Sequence, residues 1–206
     1  NRPLTNIVFM GMGEPLMNYK NVIEAIKMIT SKKGLGISAR RIVVSTSGIP
    51  KMIKKMADEN VKFKLAVSLH SAVDNVRTSI MPFNEKMNLS ELKLALKYWY
   101  KKTKRIITYE YIIWKGINDT IEDANALVEF CKFAPSKVNL IQYNAIDDNK
   151  FFQASKEKIS FVKLINDNPL KILVIYNFLA ILELLQQVKI KISIGKGLNN
   201  FWLIKS

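Results

Sequence analysis

The sequence predicts an α/β fold in which a parallel sheet carries helices on its outside. Two observations predict it. Short runs of β-branched and aromatic residues alternate with amphipathic runs of helical period, and each alternation has the size of one strand–helix unit. A third observation narrows the class. Because polar residues follow the strands, about five such units suit a barrel or partial barrel whose site lies at the carboxyl ends of its strands.

The first half of the chain contains the clearest elements. Each predicted strand is a short apolar run, and predicted helices begin at a capping residue or at proline. In chain order we expect a buried strand at 6–10, a helix capped by Asn21 that runs to Thr30, a strand at 41–45, a helix opened by Pro50 with Ile53, Met56 and Ala57 facing inward, and a strand at 64–68.

The second half continues this alternation and then loses it. Beyond Asn168 the periodicity degrades, so the chain divides into a core domain at 1–167 and a C-terminal region at 168–206 without a clear pattern. In chain order we expect a loop at 81–84, a helix capped by Ser90 that runs to Tyr100, a strand at 106–114 that breaks at Gly116, a helix at 120–133, a strand at 137–143 and a helix at 155–165.

Positive charge dominates the composition. The 206 residues include 32 lysines and arginines against 17 aspartates and glutamates, for a formal net charge of +15. Such an excess does not specify a fold, but it favours a polyanionic partner such as nucleic acid. The alternative is that lysine and isoleucine are frequent because the coding genome is rich in A and T.

A single cysteine, Cys131, excludes both a disulfide and a four-thiolate metal site within the chain. It lies in a predicted helix interior, where a small buried apolar residue is a commoner role than a reactive thiol. The most apolar stretch, 170–185, is interrupted by polar residues and is shorter than the ~20 residues of a membrane-spanning helix, so we expect no membrane insertion. Without a signal peptide or an initiating methionine, a cytoplasmic fragment of a longer protein is expected.

Glycines and polar residues mark the predicted strand ends. Glycines let a backbone approach a ligand closely, a glutamate can fix an ammonium group, and serine hydroxyls or an asparagine amide suit a ribose or a carboxylate. In a barrel these groups would converge on a small zwitterionic ligand with hydroxyls. Each also has a structural alternative, because glycines form ordinary turns, serines cap helices and a lone histidine is more often structural than catalytic. The residues are Gly11, Gly13, Glu14, Ser45, Ser47, Ser68, His70, Glu110 and Asn144.

Several ordered motifs add a family resemblance. The chain has Gly-Met-Gly-Glu-Pro-Leu at 11–16, Ser-Thr-Ser-Gly-Ile-Pro at 45–50, Leu-Ala-Val-Ser-Leu-His-Ser-Ala at 65–72 and Asn-Leu-Ile-Gln-Tyr-Asn at 139–144. In this order, and with Arg77 and Asn84 between them, they resemble the RlmN/Cfr family of radical-SAM RNA methyltransferases, most of all its RlmN branch. The likeness covers roughly residues 3–163. The first motif alone is a weak signal, whereas the ordered set is specific.

The resemblance implies both a fold and a cofactor site. The fold is a partial parallel (β/α)6 radical-SAM barrel that lacks its first strand and its cluster loop. The family's cofactors are S-adenosylmethionine and a [4Fe-4S] cluster. Arg77 and Asn84 match family positions, and no role is assigned to them. Carried over position by position, the residues that contact S-adenosylmethionine are Gly13, Glu14, Ser45, Ser68, Leu69, His70 and Asn144.

The cysteines that perform the family's chemistry are absent. The cluster is held by a Cys-x3-Cys-x2-Cys loop upstream of the glycine motif, while one further cysteine carries the methyl group and another resolves the RNA adduct. We therefore predict no catalytic and no metal-ligating residue in this chain, and expect that it neither binds a cluster nor methylates RNA. By spacing from Asn144 the C-terminal cysteine segment falls near 180–187, and its loss there suggests a local frameshift that begins after about Asn168.

The function that the resemblance implies is methylation of C2 of an adenine in 23S rRNA, with tRNA as a second substrate in the RlmN branch. The chain would be a monomeric fragment of that enzyme. The C8 position, which the Cfr branch methylates, stays open. So do two alternatives: a catalytically inactive RNA-binding remnant, and another radical-SAM enzyme that uses the same Gly-Glu-Pro element. The Ser-Leu-His and Asn-Leu-Ile segments disfavour the latter.

Overall fold

A computed structural model describes residues 4–143, 173–174, 190–194 and 201–205. Its centre is a six-stranded sheet in which all neighbouring strands are parallel and the strand order follows the chain order. The parallel α/β class predicted from the sequence is thus confirmed. The strands are β1 Ile7–Phe9, β2 Ile42–Thr46, β3 Lys64–Ser68, β4 Ile107–Ile113, β5 Ser136–Gln142 and β6 Leu173–Val174.

Five α-helices connect these strands within the part of the chain that is described, and the first and fourth begin earlier than predicted. The first continues from a 3₁₀ turn at Pro15–Asn18, so it starts before Asn21. The fourth is capped by Asn88, whose side-chain oxygen accepts from the Glu91 N–H at 3.0 Å, rather than by Ser90. The helices are α1 Tyr19–Thr30, α2 Pro50–Asp58, α3 Asp74–Ile80, α4 Leu89–Thr103 and α5 Ile121–Cys131.

The strand β1 is less buried than its sequence predicts. Val8 is 49 % exposed, and Ile7 and Phe9 are half-buried. The reason is its place in the sheet: β1 is an edge strand that pairs only with β2 among the described strands. The sequence of an apolar edge strand resembles that of a central strand, but the edge strand lacks a second neighbouring strand that would bury it.

The core lies between the sheet and its helices. Ile53, Met56 and Ala57 of α2 face inward as predicted, and the fully buried Leu92 and Trp99 of α4 pack in the same cluster. Cys131 is also buried, and burial raises the pKa of its thiol to about 11. This confirms its interpretation as a small core residue rather than a reactive thiol.

Alternate residues of the strands point to the other face of the sheet, which carries a group of polar side chains. The parallel register places Ser68 of β3 beside Glu110 of β4, and Glu110 beside Asn139 of β5. The flanking residues Val67 and Tyr109 belong to the apolar core instead. Two-residue periodicity therefore separates an apolar face under the helices from a polar face on which a site can be built.

A second, two-stranded sheet is also described. Strand β7 Ile190–Ile194 pairs antiparallel with β8 Phe201–Lys205. The predicted helix at 155–165 and the segment at 180–187 lie outside the described residues, and the division at 167/168 stays a prediction. No helix in the described ranges combines the length and the apolar character that a bilayer crossing needs.

Candidate functional site

The predicted site residues lie along the carboxyl edge of β1, β2 and β3. Gly13 and Glu14 follow β1, and Ser45 is the second-last residue of β2. The third strand ends at Ser68, with Leu69 and His70 immediately after it. Asn144 lies outside the described residues. The sheet therefore brings six of the seven predicted positions to one edge, as parallel strands require.

The Glu14 carboxylate connects the glycine loop after β1 to the end of β2. Its Oε1 accepts from the Leu16 N–H at 2.9 Å and from the Thr46 hydroxyl at 2.7 Å. Its Oε2 accepts from the Ser47 N–H at 2.7 Å and from the Ser47 hydroxyl at 2.6 Å. A carboxylate has about four lone-pair sites. An ammonium group could therefore bind Glu14 only by displacing one of these donors, most easily a hydroxyl.

The glycine loop beside Glu14 leaves open space. Gly11 and Gly13 have φ angles of 140° and 96°, which favour glycine. A Cβ built on either residue would meet no atom within 4 Å. The backbone here is shaped for glycine without being crowded by the protein, which is the arrangement that lets a ligand approach the main chain.

A buried carboxylate joins the two predicted serines. Glu110, only 5 % exposed, projects from the middle of β4. Its Oε2 accepts from the Ser45 hydroxyl at 2.7 Å and from the Ser68 hydroxyl at 3.3 Å. Three strands thus contribute to one polar cluster. The sequence contains Glu110 among its strand-end candidates, but not among the residues that the family resemblance assigns to the cofactor.

The Arg77 side chain of α3 fixes the strand ends that carry these groups. It is completely buried and donates to the backbone carbonyls of Ser47 at 2.6 Å, Ser68 at 3.3 Å and Leu69 at 3.1 Å. Another N–H of the guanidinium donates to the side-chain oxygen of Asn84. Burial lowers the Arg77 pKa to about 10, so the guanidinium is charged at neutral pH. Helix α3 itself is a correction, since the sequence pattern did not predict it.

Asn84 in turn holds the Arg77 side chain in place. It is 1 % exposed, and its amide N–H groups donate to the Asp74 carboxylate at 3.0 Å and to the Thr78 hydroxyl at 2.9 Å. The same Asp74 oxygen accepts from the Leu89 N–H at 2.9 Å. Arg77 and Asn84, which had no role on sequence grounds, are therefore structural supports of the site edge.

His70 has a structural environment. Its backbone lies in the left-handed region, with a φ of 57°, and its Nδ1 accepts from the Ile112 N–H at 3.1 Å. Asn118 donates to the His70 carbonyl at 2.6 Å, and the ring packs edge-on against Trp114. Burial, and secondarily the Arg77 charge, lower the His70 pKa to about 4. The ring is therefore neutral near pH 7, with its proton on Nε2.

Known proteins of similar sequence share most of this chain. The probable dual-specificity RNA methyltransferase RlmN of Flavobacterium psychrophilum is 66% identical over 169 residues, which cover 82% of this chain and 49% of that protein. The protein of the same description from Christiangramia forsetii is 67% identical over 157 residues, or 76% of this chain and 45% of its relative. The chain belongs to the RlmN family.

Solved structures agree with this membership. A radical SAM methyltransferase from Sphaerobacter thermophilus matches with a TM-score of 0.79 and 36% identity, over 85% of this RlmN-family chain and 52% of its own. A domain of a pyruvate-formate lyase-activating enzyme from Bacteroides vulgatus has a TM-score of 0.59 at 17% identity and covers 80% of this chain, a likeness of fold alone. No family model matches the chain. The chain spans about half the length of the RlmN relatives that it matches.

The described residues of this RlmN-family chain fit a small polar cofactor better than a metal cluster. The hydroxyls of Ser45 and Ser68 and the open glycine loop suit a nucleoside ligand. No group of three or more histidine, cysteine or acidic side chains in the described part of the chain is placed to hold a metal ion. Iron–sulfur clusters need several thiolates, whereas Cys131 is the one cysteine of the sequence and lies buried in the core.

Proposed function

We propose that this chain forms the S-adenosylmethionine-binding edge of a radical-SAM methyltransferase that acts on C2 of an adenine in 23S rRNA, with tRNA as a second substrate. The observation that carries the proposal is the convergence of Ser45 and Ser68 on Glu110, at the edge where Glu14 secures the glycine loop. The names of the relatives, which are RNA methyltransferases, support the RNA substrate.

The hydrogen bonds to Glu110 decide how the serines would contact a ligand. Because each hydroxyl donates its only proton to the carboxylate, each presents lone pairs to the open side of the sheet. Ser45 and Ser68 would therefore accept hydrogen bonds, for example from ribose hydroxyls. Gly13 would contact the ligand through its backbone, and Glu14 would keep that loop in place. When bound, S-adenosylmethionine supplies the methyl group and the radical chemistry, while the protein supplies orientation.

The [4Fe-4S] cluster of the family does not fit this chain by itself. One cysteine cannot provide the three thiolates of the family's cluster loop. We expect the isolated chain to hold no cluster and to transfer no methyl group. Iron analysis after anaerobic reconstitution would contradict this expectation by finding about four irons per chain, the content of one cluster.

Calorimetric titration of the chain with S-adenosylmethionine tests the cofactor site. Removing one hydrogen-bonding group costs about 1–1.5 kcal/mol, so Ser45→Ala and Ser68→Ala should each weaken binding about tenfold. Ser79→Ala is the matched control, because Ser79 is an exposed serine whose hydroxyl donates to the Val76 carbonyl of its own helix. Equal affinities for all four proteins would contradict the proposed site.

The alternative is a catalytically inactive RNA-binding remnant of the same family. The net charge of +15 together with the single cysteine favours it. It predicts RNA binding that weakens steeply with salt and no heat of binding with S-adenosylmethionine. The same titration therefore separates the two functions, since only the first requires the wild-type chain to bind the cofactor.

A further inference from the structure

A cluster of cations occupies the edge of the sheet opposite to the candidate cofactor site. Each member precedes or begins a strand, so all lie where parallel strands start. We name this cluster the basic edge. Five of its side chains are exposed and the sixth is half-buried. Its members are Arg40 and Arg41 before β2, Lys62 and Lys64 at the start of β3, and Lys104 and Arg105 before β4.

Hydrogen bonds between neighbouring strand starts connect part of the basic edge. Arg105, which precedes β4, donates to the carbonyls of Val61 and Phe63 just before β3. The Arg105 pKa is lowered by partial burial and, secondarily, by the charge of Arg40, which precedes β2. The Arg105 guanidinium thus spans from the start of β4 to the residues that precede β3.

Nearby carboxylates do not neutralise this surface. Helix α2 ends close by at Asp58, and Glu59 follows it as the C-cap. Asp58 accepts from the Tyr98 hydroxyl and pairs with Lys102 at 3.6 Å. Glu59 accepts from the Tyr19 hydroxyl and pairs with Lys55 at 3.9 Å. Within the described residues, no basic-edge side chain forms an ion pair with a carboxylate.

Helix dipoles explain only part of the cluster. Cations in the last turn of an α-helix offset its partial negative charge, and Lys104, the C-cap of α4, has that position. Arg40, Arg41, Lys62 and Lys64 lie outside the α-helices, so this effect does not account for them. Exposed charges that the fold itself does not use are available to a ligand.

We propose that the basic edge binds backbone phosphates of the RNA substrate, on the side of the domain away from the reacting base. The identity of the ligand, RNA, rests on the proposed function. The location of its binding site rests on the cluster of cations. Guanidinium groups match phosphate geometry. Strand β3 has five residues, so the two edges lie about 15 Å apart. An RNA stem-loop is long enough to contact both edges at once.

Fluorescence anisotropy with a labelled RNA stem-loop, measured on the full chain over a series of KCl concentrations, tests the proposal. The test variant replaces Arg40, Lys62 and Lys64 by Gln. The matched control replaces Lys51, Lys54 and Lys97 by Gln, which removes the same charge from exposed positions of α2 and α4. Arg105 is left in place because it bonds to the backbone.

We expect the test variant to bind at least tenfold more weakly at low salt, and its slope of log affinity against log salt to be smaller by about two to three, as the loss of three phosphate contacts predicts. The control should change affinity less than threefold and leave the slope nearly unchanged. Equal losses in both variants would overturn the basic edge as a site, as would RNA affinity that the test variant retains.

Three outcomes distinguish a failure of this inference from a failure of the proposed function. If the wild-type chain binds no RNA, both fail. If it binds RNA but the two variants behave alike, only the basic edge fails. The same substitutions measured on anionic phosphatidylserine vesicles give the last outcome: loss of vesicle binding without loss of RNA binding would identify a membrane surface instead, and so overturn the proposal.

Discussion

Replacement of Arg77 by Met provides the sharpest test of how the candidate site is held together. The change keeps an unbranched apolar stem and removes the guanidinium, so the carbonyls of Ser47 and Ser68 lose this donor, whereas the Leu69 carbonyl still accepts from the Ser71 N–H at 2.7 Å. Each buried acceptor that loses its partner costs about 1–3 kcal/mol. We therefore expect Arg77→Met to reduce the free energy of unfolding by about 4 kcal/mol, a large share of the stability of a small domain.

Urea denaturation followed by the fluorescence of the buried Trp99 and Trp114 measures this loss. Arg77→Lys keeps the charge, but one ammonium cannot reach all of these carbonyls, so about 2 kcal/mol should be lost. That milder variant keeps the test informative if Arg77→Met does not fold. Arg41→Met controls for removing an exposed arginine and should change stability by less than about 0.5 kcal/mol. A loss below about 1 kcal/mol for Arg77→Met would refute the supporting role.

Three other predictions concern single positions. The His70 pKa falls from 6.5 to about 4 on folding, so the free energy of unfolding should be highest above pH 6.5 and should decrease as the pH falls toward 4. Asparagine tolerates the positive φ of this position, so His70→Asn should make the decrease smaller when stability is measured by urea denaturation at each pH. Gly48→Ala should reduce the free energy of unfolding by about 2 kcal/mol, because its φ is 103° and a Cβ would lie 2.9 Å from Leu92. The control Gly116→Ala has a φ of 71° and open space around the added Cβ, so it should lose about 1 kcal/mol. Equal losses of stability in the two variants would exclude a contribution from the contact with Leu92. Cys131 should react with Ellman's reagent only after denaturation, and rapid labelling of the native chain would contradict its burial.

The elements that the sequence predicts well are those whose signal is local. The bounds of β3 coincide with the predicted run at 64–68, and Pro50 begins α2 as expected. Helix α3 is missed because it has only seven residues and buries Arg77 where a periodic pattern would place an apolar side chain. The exposure of β1 could not be predicted either, since an apolar run does not reveal whether a neighbouring strand covers it.

In the candidate site, too, some residues could be predicted from local sequence and others could not. Residue types and motifs indicate Gly13, Glu14, Ser45 and Ser68 because each stands at a strand end. The role of Glu110 depends on the register of three parallel strands, which no local pattern contains. A buried glutamate inside an apolar strand was nevertheless a usable signal, because such a group must find donors from neighbouring strands.

The polar cluster around Glu110 also has a consequence for folding. Its carboxylate meets one serine 65 residues away in sequence and another 42 residues away. Contacts of such long range form only after the loops between them have closed, which makes them slow to assemble. We therefore expect the ligand-binding edge to form late in folding, after the helices have packed on the apolar face of the sheet. Peptides that contain single motifs should not bind, and a ligand captured by the native edge should slow unfolding more than it accelerates folding.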